Sequence, residues 1–219
     1  MSTLTLTNAT YKYHGAQMPA VSGVNCTFEP KQLYAIVGPS GSGKSTLLSM
    51  MAGLDLPTEG TIAFDGYDLA RLDLDRYRRE SIAMIFQSFQ LFALLTAMEN
   101  VCYPMELCGI KPVDARPRAM NLLERVGITK EQMRRFPSRL SGGEQQRIAI
   151  ARSLAAGAKI LLADEPTGNL DIDNTKNIID ILQDLAHNEG YCVIIVTHDL
   201  EIADKADVVY KMRGGILSL

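Results

Sequence analysis

Three short segments of this chain have the residue types and spacing to handle a polyphosphate. Gly38-Pro39-Ser40-Gly41-Ser42-Gly43-Lys44-Ser45 fits the pattern G-x-x-x-x-G-K-[ST]. Its glycines allow a tight concave path, its backbone N–H groups wrap phosphate oxygens, and the helix that follows presents its positive end. Lys44 is placed to reach β- and γ-phosphates and the Ser45 hydroxyl to ligate Mg²⁺. The second segment, Ile160-Leu161-Leu162-Ala163-Asp164-Glu165, is an apolar run that ends in two carboxylates. Asp164 suits holding Mg²⁺, directly or through water, and Glu165 suits polarising a water for attack on the γ-phosphate. Alone, such an acidic pair is a helix cap or turn; beside a phosphate loop it becomes the other half of a site. The third, Leu140-Ser141-Gly142-Gly143-Glu144-Gln145, leads into a helix reaching about Leu154. It sets a hydroxyl and glycine N–H groups at a second positive helix end.

The elements that must position these groups are readable from periodicity. Alternation at Leu4 and Leu6, then 21–28 and 33–37, predicts strands broken by Gly15, Pro19 and Pro30. Residues 44–52 have helical spacing and stop at Gly53. Residues 61–64 and 82–86 read as strands, the first closed by the turn pair Asp65-Gly66 and the second ending at Gln87. From 90 to 140 the pattern is helical: Thr96-x-x-Glu99 is a capping box and 115–126 is amphipathic before Gly127. Continuous apolar runs at 160–163 and 192–197, separated by helical segments, imply a largely parallel sheet covered on both faces. The expected division is an α/β core over 1–89 and 141–219, with an inserted helical lobe over 90–140.

Composition narrows the function. With 219 residues, 47% hydrophobic and 21% charged, the chain is of ordinary globular type and long enough to bury a sizeable core. A formal net charge of -3 gives no electrostatic footprint for nucleic acid, so none is expected as a partner. The first eight residues lack a basic start and apolar run, and no stretch approaches the ~18 apolar residues of a membrane span. The expectation is a cytoplasmic chain whose membrane role comes through a partner. Cys26, Cys102, Cys108 and Cys192 form no CxxC pair, which suits reduced thiols.

With Ser141 to Gln145 matching a signature motif, and the phosphate loop and Asp-Glu strand in the same order, the chain resembles the ABC (ATP-binding cassette) ATPases over nearly its whole length. Gln87 matches the Q-loop glutamine, Asn169-Leu170-Asp171 the D-loop and His198 the switch histidine. The resemblance implies a P-loop NTPase fold with a mostly parallel core sheet, an antiparallel β subdomain and the helical lobe. It implies ATP and Mg²⁺ as ligands, with Thr46 and Gly142, Gly143 and Glu144 among the ATP-binding residues. Gln87 is expected to contact Mg²⁺ or the attacking water, His198 to steady the γ-phosphate and the water, and Asp171 to communicate across a dimer interface. An aromatic residue near the start stacks on adenine in this family. Tyr13 is the choice and Tyr11 the fallback, because residues two apart share one strand face.

The resemblance also implies that one chain is insufficient. The signature motif of one copy closes over the ATP held by another, so a head-to-tail dimer is expected, coupled to a separate integral membrane permease at the inner face of the cell membrane. The segments 87–101 and 163–171 are similar to the lipoprotein-release, macrolide-efflux and antimicrobial-peptide-resistance branch. The alternative is a soluble ABC ATPase acting without a permease, in cell division, repair or translation. A non-catalytic ATP-binding module leaves Glu165 and His198 without work, and a small-molecule P-loop kinase leaves Ser141 to Gln145 without any. The apolar segment 88–95 reads equally as a permease-docking surface or as lobe core. The basic clusters Arg76, Arg78, Arg79 and Arg134, Arg135 read as lipid or permease contacts, or as solvated helix faces.

Overall fold

The computed structural model describes residues 2–219. Two sheets share the chain. β1 (Leu4–Tyr11), β2 (Val21–Phe28), β4 (Glu59–Phe64) and β5 (Tyr67–Asp68) form an antiparallel sheet in the order β2-β1-β4-β5. β3 (Gln32–Val37), β6 (Ile82–Phe86), β7 (Ile160–Asp164), β8 (Cys192–Thr197), β9 (Val208–Arg213) and β10 (Ile216–Ser218) form a second sheet in the order β10-β9-β3-β8-β7-β6. Every pairing in the second sheet is parallel except that of β9 with β10. The helices are α1 (Lys44–Met51), α2 (Leu74–Glu80), α3 (Ala97–Leu107), α4 (Pro112–Arg125), α5 (Gly142–Leu154), α6 (Ile172–His187) and α7 (Leu200–Ala203).

Buried-strand composition explains the parallel sheet. β3, β7 and β8 are apolar without alternation because both faces are covered. Their side chains sort by strand parity into two cores. Leu161, Ala163, Val193 and Ile195 pack with α3, α4, α5 and α6. Ile160, Leu162, Ile194 and Val196 pack with α1 and the antiparallel sheet. Each fully buried Leu or Ile contributes ~1.5–3 kcal/mol to holding these layers together.

The capping box expected at Thr96 is present, and Ser141 with Glu144 forms a second one. Thr96 opens α3, its hydroxyl accepting from Glu99 N–H while the Glu99 carboxylate accepts from Thr96 N–H at 2.8 Å. Inside the same helix the fully buried Asn100 accepts from Phe92 N–H at 2.8 Å and donates to the carbonyls of Phe92, Leu95 and Thr96. One amide thus satisfies the loop before α3, where the chain makes no regular structure. α5 packs against α3, α4 and α6, joining the inserted helices to the sheet.

The basic clusters are largely paired within the chain. Arg76 bonds Glu80 at 2.8 Å, Arg78 bonds Asp75 and the Gly53 carbonyl, and Arg135 bonds Glu131. Such exposed pairs are worth little individually, and they leave Arg79 and Arg134 outside any ion pair among the described residues. All four cysteines are free thiols. Among the described residues no helix is long and apolar enough to cross a membrane.

Candidate active site

The site forms at the carboxyl ends of β3, β6, β7 and β8, where an open parallel sheet leaves a crevice. After β3 the chain turns through Gly38 to Gly43 and enters α1 with no side-chain cap, because the residue before the helix is Gly43 at φ 106°. The first-turn N–H groups of α1 are therefore available to an anion. The loop is pressed against main chain on its far side. A Cβ on Gly38 would lie 2.2 Å from the Met212 carbonyl, and one on Gly43 would lie 2.2 Å from the Ala20 carbonyl. Gly215 N–H bonds the Ser42 carbonyl at 3.0 Å, so the turn between β9 and β10 braces the loop from behind.

Lys44 is buried, and its ammonium donates to the carbonyls of Gly38 at 2.8 Å and Pro39 at 3.0 Å. A buried cation held only by neutral carbonyls keeps most of its attraction for an anion. The Ser42 hydroxyl is buried with no hydrogen-bond partner among the described residues, a polar atom left over beside the cradle.

A cleft of about 700 Å³ gathers Tyr13, Ala20, Ser40, Gly41, Gly43, Lys44, Ser45, Thr46, Gln87, Asp164, Glu165 and His198. Gln87 follows β6; its carbonyl accepts from Asn169 Nδ2 at 3.0 Å, and its side chain lies where a Cβ on Gly168 would come within 2.7 Å. Asp164 ends β7. Burial pushes its carboxyl above the usual carboxylate range and Glu165 adds to the rise, while the Ser45 hydroxyl bond and Lys44 oppose it.

Glu165 has a left-handed backbone, φ 48°, an uncommon state for a residue with a Cβ. Its N–H bonds the Val196 carbonyl at 2.9 Å. Its carboxylate is fixed from β8: Thr197 Oγ1 donates to Oε2 at 3.2 Å, and His198 Nδ1 lies 2.8 Å from Oε1. His198 thus touches the acid itself, while its exposed ring still lines the cleft. In the sequence Thr197 reads as one more strand residue, and only the side-by-side pairing of β7 and β8 brings its hydroxyl to Glu165.

The two tyrosines separate. β1 makes its last pairing at Tyr11, so Tyr13 lies beyond the strand. Tyr11 bonds Asp55 at 3.2 Å and stays outside the cleft. Tyr13 is 49% exposed at the cleft mouth, bonds Thr46 Oγ1 at 3.1 Å, and rests edge-on against Tyr11.

The signature segment lies outside this cleft. Ser141 caps α5, its hydroxyl accepting from Glu144 N–H, and its own N–H donates to the Glu144 carboxylate at 2.6 Å. Burial would raise the Glu144 carboxyl, but bonds from Ser141 and Gln132 outweigh it and hold the group below its ordinary value. A Cβ on Gly143 would fall 2.0 Å from Asn174 Oδ1, so any side chain there requires Asn174 to move. Asp171 caps α6 and is depressed by the Asn174 N–H bond at 2.8 Å. The segment 88–95 divides: Leu91 packs on the core, whereas Leu94 is 90% exposed.

A phosphate cradle, an acidic pair and a detached signature segment therefore stand in one chain, and the family model described as ABC transporter matches residues 21–168. The chain belongs to the ABC transporter family. This ABC cassette is 43% identical over 212 residues to the lipoprotein-releasing system ATP-binding protein LolD of Shewanella frigidimarina, covering 94% of this chain and 88% of LolD. It is 40% identical over 204 residues to the macrolide export ATP-binding/permease protein MacB of Shewanella oneidensis, covering 92% of this chain and 31% of MacB. Among solved structures, the dimeric post-hydrolysis cassette MJ0796 bound to ADP and Pi superposes with a TM-score of 0.88 at 35% identity, over 98% of this chain and 97% of that one. The expected α/β fold, the family and its branch, and an ABC ATPase activity are thereby established.

Proposed function

We propose that this ABC cassette hydrolyses Mg-ATP in a head-to-tail dimer of two copies and passes the motion to a membrane permease. The observation that carries the reading is the separation of Ser141 to Glu144 from a cleft that holds Lys44, Asp164 and Glu165. A triphosphate in the cleft has donors from the loop and α1 on one side only; the α5 end of a second copy supplies the other. The likeness to a dimeric cassette bound to ADP and Pi supports both the dimer and the nucleotide.

In this reading Lys44 releases the Gly38 and Pro39 carbonyls for phosphate oxygens. Ser45, Asp164 and Gln87 would hold Mg²⁺. Their hard oxygen donors suit that ion, and an Asp164 carboxyl pushed up by burial is one that a cation relieves. Bound there, Mg²⁺ supplies neutralisation of phosphoryl charge. Glu165 takes the proton of the attacking water, and His198 and Thr197 aim its carboxylate. The deciding experiment mixes two inactive variants, Lys44→Ala and Ser141→Arg. The mixture is expected to regain phosphate release that neither has alone, since one of the two shared sites becomes intact; a mixture that stays inactive overturns the dimer.

Tyr13, at the cleft mouth, is proposed to stack on adenine. Base–aromatic stacking is worth ~1–3 kcal/mol, so Tyr13→Ala is expected to weaken ATP binding about 5-fold or more by calorimetry. Tyr11→Ala is expected to leave it within about twofold, because Tyr11 bonds Asp55 instead.

The permease is proposed to sit in a groove of about 430 Å³ floored by Ile82, Met84, Phe86, Phe92, Tyr103 and Leu107 and edged by Arg79 and Arg152. Arg152 bonds the carbonyls of Phe89 and Gln90 and lies 5.7 Å from the Phe92 ring, so whatever fills the groove presses on the segment that begins at Gln87. An apolar segment carrying an acidic side chain fits this lining. Likeness to the lipoprotein-releasing LolD and the macrolide export protein MacB supports a partner of export type, with the cassette on the cytoplasmic, inner face of the membrane.

A further inference from the structure

We infer that Gln146 is a positioning residue that makes Glu165 answer to the signature end of its own chain. The inference rests on the dimeric reading above, in which Ser141 serves the nucleotide held by the other copy. Gln146 lies in the second turn of α5 and is 0% exposed. Its Nε2 donates to the Pro166 carbonyl at 2.6 Å, while its Oε1 has no partner among the described residues. Half of a buried amide is therefore unsatisfied, a penalty that a hydrocarbon side chain of the same length does not carry. What the amide adds is direction: a short bond aimed at one carbonyl.

That carbonyl belongs to the residue directly after Glu165, where the backbone is already in the left-handed region and the Glu165 carbonyl accepts from Gly168 N–H at 3.1 Å. Among the described residues this is the one hydrogen bond from α5 to the segment 160–168. The other side-chain ties of α5 go elsewhere: Glu144 to Ser141 and Gln132, Gln145 to Leu140, Arg147 to Asn174, and Arg152 to Phe89 and Gln90. A helix moves as a rigid rod, and Ser141 and Gln146 stand five residues apart on it, about 7.5 Å of rise. When the partner's nucleotide draws in the Ser141 end, Gln146 carries the displacement to Pro166, and the Glu165 carboxylate turns with it. Each catalytic acid is then best aligned when its own chain has engaged the opposite nucleotide, so the two sites act together, and an intact site without that help turns over about 10-fold more slowly.

The test is Gln146→Met, which keeps the chain length and removes both the bond and the orphaned oxygen, with Gln146→Leu as a second variant if the first misfolds. Both are assayed at protein concentrations that saturate the dimer. The wild-type chain is expected to show ATP-dependent phosphate release with a Hill coefficient above 1. In the variant the coefficient is expected to fall to about 1 and kcat about 10-fold, with KM within about twofold and Tm unchanged or higher. A wild-type chain without cooperativity, a variant that keeps wild-type kcat and cooperativity, or losses that merely follow a lowered Tm overturn the inference. Its failure is separable from that of the dimer. If Glu165→Gln still dimerises on Mg-ATP and Gln146→Met behaves as wild type, only the role of Gln146 falls.

Discussion

Glu165→Gln is expected to lower steady-state phosphate release by about 10³-fold while Mg-ATP still brings two copies together, because a positioned general base contributes ~10²–10⁴-fold. The substitution preserves size, and its amide oxygen still accepts from Thr197 Oγ1, which now bonds the carboxylate at 3.2 Å. What disappears is the capacity to take a proton from water. The cradle formed by Lys44 and α1 is untouched, so nucleotide binds and remains, and the dimer accumulates because the step that dissolves it is blocked. Phosphate release read beside light scattering separates the two effects. Turnover within about threefold of wild type removes Glu165 from the water-activating role, and a variant that stays monomeric with saturating Mg-ATP removes the sandwich.

Asp164→Asn is expected to move stability and turnover in opposite directions. Its carboxyl is raised above the ordinary 3.8 chiefly by burial and further by Glu165. A group whose folded pKa is raised stabilises the fold below its unfolded pKa and loses that contribution as pH rises through the folded value. At pH 7 the ionised Asp164 is therefore a cost to the fold, moderated by partial solvent exposure and by the Ser45 hydroxyl. Asn removes that cost. Differential scanning is expected to give a higher Tm for Asp164→Asn at pH 7, with the gap closing below about pH 4, where the wild-type carboxyl is itself neutral. Added Mg²⁺ is expected to raise the Tm of the wild-type chain and not that of the variant. Turnover is expected to fall by about 10² or more, the scale of a lost ligand to a charge-neutralising metal. A variant less stable than wild type at pH 7, or one whose Tm still responds to Mg²⁺, contradicts the assignment.

How far the sequence reveals all this depends on whether a feature is local. β6 and β8 coincide with their apolar runs to the residue, since a buried parallel strand has no other composition. The box at Thr96 is legible because both partners lie within one turn. The phosphate loop is legible because its chemistry needs consecutive residues. Contacts between distant segments are another matter. The bracing of Gly38 and Gly43 by Met212 and Ala20 joins residues far apart in the chain, and nothing in either partner announces it. The contact of His198 with Glu165 follows from β7 and β8 lying side by side, an adjacency set by sheet order. Tyr11 and Tyr13 look equivalent by spacing and become distinct only because pairing with β2 stops at Tyr11. The bond from Gln146 to the Pro166 carbonyl joins two segments 20 residues apart, and neither partner announces it in the sequence.

The parallel sheet acts as a bulkhead between two separately sealed interiors. Leu161, Ala163, Val193 and Ile195 belong to one compartment, and Ile160, Leu162, Ile194 and Val196 to the other. The first interior holds α3, α4, α5 and α6, and the second holds α1 against the antiparallel sheet. A substitution that loosens the packing on one face of β7 or β8 therefore leaves the opposite interior lined by its own set of side chains.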